Sequence, residues 1–103
     1  MRLMKCLAFS SLLLLPATGI AGEDIESGDL TLARAAPKAE FIIDGADWQC
    51  VDVICHAAWV DDMPPVRSCQ RVVLETGAVT AFAWRGKALT PAQLAQCNTW
   101  AKT

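Results

Sequence analysis

Four cysteines, Cys50, Cys55, Cys69 and Cys97, follow an apolar leader, and that combination constrains the fold more than any other feature of the chain. Residues 1–21 have the parts of a secretory signal. Arg2 and Lys5 supply the positive start, and residues 7–15 form an apolar run. Pro16 breaks the run, and Gly19, Ile20 and Ala21 offer a small-residue cleavage site. The run is too short to cross a bilayer, which takes about 20 apolar residues. Cys6 precedes the run instead of following it, so a lipid-anchored cysteine is not expected. Cleavage after Ala21 removes Cys6 and leaves no membrane span. The remaining four cysteines are an even set, as a disulfide framework in an oxidising compartment requires. A periplasmic or secreted protein is expected.

The leader also carries charge. The full chain has 9 Lys+Arg against 11 Asp+Glu. Without Arg2 and Lys5 the balance is 7 against 11, or −4. Such a chain does not track phosphates, so nucleic acid is not an expected partner. With 103 residues there is room for one domain and none for a Rossmann or barrel enzyme. At 53% hydrophobic residues the chain is not wholly disordered.

Residues 22–39 read as a linker. Glu23, Asp24, Glu26 and Asp29 have no apolar partners at a steady period, and Pro37 ends a short alanine-rich turn. Residues 40–103 read as the folded unit. Phe41, Ile42 and Ile43 are β-prone, and Asp44-Gly45 is a turn signal. A second strand starts at Trp48, with apolar β-branched character continuing to Cys55. Asp61 to Pro65 reads as a helix start, an aspartate capping and a proline in the first turn. Val66, Cys69, Val72, Val73 and Thr76 then mark one helical face, which Gly77 ends. Residues 78–89 return to strand pattern, with a turn at Arg85, Gly86 and Lys87. Thr90, Pro91 and Gln93 form a capping box for a second helix, which presents Leu94, Cys97 and Ala101 on one side and runs to the end of the chain. The expected fold is a small α+β domain with two short helices, a small antiparallel sheet and two disulfides.

Four cysteines allow three pairings. Cys69 and Cys97 both lie on inward helical faces, which favours Cys69–Cys97 as a clamp and leaves Cys50–Cys55 as a local bridge. Loop-entropy arithmetic gives these bonds about 3.6 and about 2.2 kcal/mol. The competing arrangement is Cys50–Cys97 with Cys55–Cys69. A zinc site with His56 as spare ligand would want close cysteine pairs at both ends, and only one end has them. Redox exchange wants two cysteines two residues apart at a helix start. Covalent haem wants Cys-x-x-Cys-His, whereas residues 50–56 hold a stretched version. No metal or cofactor is expected.

Catalytic residues are equally hard to assemble. His56 is the only histidine. After the leader the serines are Ser27 and Ser68, neither in a nucleophile elbow. The adjacent carboxylates Asp61 and Asp62 suit capping better than acid–base work on one bond. No enzyme is expected. Trp48, Trp59, Trp84 and Trp100 are more informative. Most should fill a small core, but tryptophan also anchors interfaces. Trp59, beside polar Asp61 and Asp62, is the foremost candidate for binding a protein or small-molecule partner. Trp84 and Arg85 at the following turn come next.

Two resemblances accompany this reading. Trp48-Gln49-Cys50 with Cys55, Pro64 to Cys69, Gly77, Gly86-Lys87-Ala88-Leu89 and Leu94-Ala95-Gln96-Cys97-Asn98 resemble the pattern of small four-cysteine exported proteins of proteobacteria. That resemblance implies no activity. Residues 48–54 and 90–97 are also similar to HdeA-type periplasmic acid-stress chaperones. This second resemblance implies an all-helical fold, a Cys50–Cys97 bond and chaperone action after acid unfolding. The added Cys55 and Cys69 and the strand pattern of residues 78–84 depart from it.

Overall fold

The structure, a computed structural model, describes residues 25–102. The leader and its cleavage site lie outside the described residues. Eight elements follow one another: β1 (Gly28–Leu32), β2 (Glu40–Ile43), β3 (Ala46–Val51), β4 (Ile54–Ala57), α1 (Pro65–Thr76), β5 (Val79–Trp84), β6 (Lys87–Ala88) and α2 (Pro91–Asn98). The strands make one sheet in the order β2-β3-β4-β1-β5-β6, antiparallel at every pairing. The expected α+β fold is therefore the observed one.

Three hairpins build most of that sheet from local signals. Asp44 and Gly45 both take positive φ between β2 and β3, and Arg85 and Gly86 do the same between β5 and β6. Two positive φ angles in a two-residue loop match the right-handed twist of the strands they join. The third hairpin corrects the expectation of unbroken strand character to Cys55. Asp52 takes φ 59° and the chain reverses at Asp52 and Val53. Cys50 and Cys55 then sit opposite each other, with Cα atoms 4.1 Å apart and a disulfide between them. The Cys50 N–H donates away from Cys55, to the Ala39 carbonyl at 2.8 Å. The cysteines thus occupy a non-hydrogen-bonded pair, the closer of the two cross-strand geometries.

The largest correction concerns β1. Residues 28–32, expected within the linker, form a strand between β4 and β5 near the middle of the sheet. Leu30 and Leu32 enter the core while Asp29 points outward. Gly28 matters for what it lacks. A Cβ there would stand 2.8 Å from Cη2 of Trp48 and 3.1 Å from a Val60 methyl. The folded unit therefore begins well before residue 40.

Both helices cover one face of the sheet. α1 packs on β2 and β5, and α2 packs on α1 and β5. Cys69 and Cys97, both fully buried, join the helices with Cα atoms 5.7 Å apart. Both disulfides are thus the favoured pair, and Cys50–Cys97 does not form. The bond and the all-helical fold implied by the chaperone resemblance are absent. Beneath the helices Trp48, Phe82 and Trp84 stack with ring centroids 5.6 to 6.4 Å apart.

The helix ends follow the sequence in part. Thr90 Oγ1 accepts from the Gln93 N–H at 3.2 Å, and Gln93 Oε1 accepts from the Thr90 N–H at 2.9 Å, completing the expected capping box. α2 stops at Asn98, short of the chain end. α1 starts without a side-chain cap: Pro64 holds the cap position and Pro65 the first turn. Asp61, expected as a cap, instead accepts from the Met63 N–H at 3.1 Å. Proline at the first helical position removes one orphan N–H, which lessens the need for a cap.

Arg71 on α1 grips the β2–β3 turn, donating through Nε and Nη2 to the two Asp44 oxygens, the second bond being 2.7 Å. The guanidinium holds the Asp44 carboxyl below the usual carboxylate range. A lowered folded value stabilises the protein above the ordinary aspartate value and loses that contribution as the pH falls through the folded one. Both side chains are partly exposed, so the effect is small. Asp44→Asn is expected to lower stability by about 0.5–1 kcal/mol at pH 7, read by urea unfolding. The difference should vanish well below the ordinary aspartate value of about 3.9. A difference that stays constant with pH would contradict this assignment.

Candidate binding face

With both helices on one side, strand alternation presents a second set of side chains on the other. β1 presents Asp29 and Thr31, β2 Glu40 and Ile42, and β3 Asp47, Gln49 and Val51. β4 adds Ile54 and His56. Among the described residues no helix covers this face. Ile42, Val51 and Ile54 are 68%, 81% and 57% exposed.

Cross-strand register gives the face its polar centre. His56 lies opposite Asp29 in the β1–β4 ladder, and its Nδ1 is 2.6 Å from Asp29 Oδ1. A carboxylate oxygen accepts, so the imidazole presents Nδ1–H to Asp29 and its ring orientation is fixed. Across β3, Glu40 faces Gln49 in register, and Asp47 lies on the diagonal. A hydrogen bond with Asp47, then its like charge, raises the Glu40 carboxyl above its ordinary value. A cation between the two side chains would relieve that repulsion on Glu40.

Trp59 borders a shallow cavity of about 440 Å³ with Gly45, Asp47, Gln49, His56 and Ala58. Its ring is about half exposed, whereas the next residue, Val60, is fully buried. Val60 anchors the segment with both of its backbone groups. Its N–H donates to the Glu26 carbonyl at 2.7 Å, and its carbonyl accepts from Arg85 Nη1 at 2.8 Å. Trp59 is thus a large side chain at the margin of an open face, carried by a fixed backbone.

The three tryptophan and arginine candidates therefore separate. Trp59 is exposed as expected. Trp84 is 5% exposed and belongs to the aromatic core, which corrects its reading as a surface residue. Its phase with Phe82 along β5 carried that signal. Arg85 spends its guanidinium on Val60 and lies 3.9 Å from Glu26, so it positions the Trp59 segment instead of facing solvent freely. Sequence reading missed His56 and Asp47 as neighbours of Trp59 and Asp29 as the partner of His56, because the sheet register brings Asp29, His56 and Asp47 to one face.

Two further clefts lie away from this face. One, of about 650 Å³, runs between Asp62, Met63 and Pro64 and the β5–β6 turn. The other lies between residues 33–37 and the end of α2. Its polar members Thr76 and Asn98 already hydrogen-bond the chain around them. All four described cysteines are paired, leaving no thiolate for metal or redox chemistry. No group of three or more His, Cys, Asp or Glu among the described residues is placed to hold a metal ion.

These features define a two-layer, disulfide-stapled α+β domain with one bare sheet face. Residues 8–99 match a family of unknown function, DUF8200, and the chain belongs to it. No curated protein and no solved structure matched the chain.

Arg85→Gln tests the support beneath Trp59. It leaves the Val60 carbonyl without its donor, at an expected cost of about 1–3 kcal/mol. Hydrogen exchange at the Val60 amide should quicken. Unchanged stability together with unchanged exchange would show that Arg85 does not hold this segment.

Proposed function

We propose that the protein is an exported, non-catalytic binding module that engages its partner through the bare sheet face around Trp59. The observation that carries the reading is the half-exposed Trp59 beside the His56–Asp29 pair, on a face that no helix among the described residues covers. Large exposed aromatic side chains on a fixed backbone bind at low entropic cost, which makes them common interface anchors. Ile42, Val51 and Ile54 extend the apolar area beyond the scatter of single residues usual on a surface. Export is supported by the signal-like residues 1–21 and by two disulfides, which suit an oxidising compartment. Among the described residues no helix is long and apolar enough to cross a membrane.

Site-specific photo-crosslinking in the native envelope tests this reading. A photoreactive phenylalanine derivative in place of Trp59 should give a discrete adduct of higher mass. The same residue in place of Glu75, on the exposed side of α1, should give none. Adducts from position 75 alone, or from neither position, would contradict the assignment of the binding face.

A further inference from the structure

The charges on the bare face are all of one sign. Its outward positions carry three carboxylates, Asp29, Glu40 and Asp47, and no lysine or arginine. The only other titratable group is His56, already bonded to Asp29. Between and beside these carboxylates stand Ile42, Val51, Ile54 and Trp59, all exposed. Lys38, just before β2, lies 5.3 Å from the ring centroid of the buried Phe41. Arg71 is held by Asp44 on the α1 side, and Arg85 is held by Val60.

We propose that this face docks a polypeptide segment that is both cationic and amphipathic, its lysine or arginine side chains meeting Asp29, Glu40 and Asp47 and its apolar side chains meeting Ile42, Val51, Ile54 and Trp59. The proposal rests on the reading of this face as the binding surface and adds the chemistry of the partner. Complementary charge steers association and rejects acidic competitors. A cation bound between Glu40 and Asp47 relieves their mutual repulsion, and a neighbouring Trp59 ring offers a second favourable site for it. A neutral or acidic partner would leave Glu40 and Asp47 without a counter-charge.

The test uses the exported form with both disulfides intact and a synthetic peptide of alternating lysine and leucine. Titration should show saturable binding that weakens as salt rises. The double variant Glu40→Gln/Asp47→Asn and, separately, Trp59→Ala should each weaken it about tenfold, the factor expected from roughly 1.4 kcal/mol. Glu40 and Asp47 are exposed and mutually repulsive, so the double variant keeps its fold. The control Asp62→Asn/Glu75→Gln removes the same charge away from the bare face and should bind within about twofold of the parent. Equal weakening by the control would reduce the effect to overall charge and overturn the proposal. So would equal binding of a glutamate–leucine peptide, or binding of a neutral oligosaccharide in place of the lysine peptide. A lysine peptide that fails to bind while position 59 still crosslinks to a cellular partner overturns the partner's chemistry alone. Failure of the crosslink removes the face itself.

Discussion

The Cys69–Cys97 bond joins two helices of 12 and 8 residues that could not persist alone in water. Isolated helices of that length are marginal. Joined at fully buried sulfurs, they form one layer that can shield only one face of the sheet. A domain of this size buries too little surface to rely on its core alone, and cross-links supply the remainder. The same cross-link decides the other side of the molecule. With both helices bound to each other over β5, neither reaches the opposite face.

β1 connects that architecture to the site. Its five residues send Leu30 and Leu32 inward and Asp29 outward, so one short strand serves the core and orients His56. The anchored Val60 gives the aromatic edge of the face a comparable fixed base. Binding residues on strands and anchored turns keep their geometry without a partner, which lowers the ordering cost of association.

Much of the fold was legible because its signals are local. The capping box of Thr90 and Gln93 lies within four residues, and the Asp44-Gly45 turn within two. The helical phase of Cys69 and Cys97 led to the right disulfides because both lie on inward faces. β1 escaped because two leucines among acidic residues look like a tether until β4 and β5 are beside them. The reversal at Asp52 escaped because no glycine marks its positive φ. Trp84 shares its inward phase with Phe82, two residues before it, but its place next to the Arg85-Gly86 turn drew it toward the surface. The His56–Asp29 contact, 27 residues apart in sequence, has no local signature at all.

Among the described residues one sheet face is covered by both helices and the other is bare, and covalent footprinting of the folded, disulfide-bonded protein tests that asymmetry directly. Brief exposure to a small indole- and imidazole-reactive reagent, followed by peptide mapping, should mark Trp59 and His56 heavily while sparing Trp48 and Trp84. Comparable labelling of Trp84 and Trp59, or protection of Trp59 and His56 in the free protein, would contradict it.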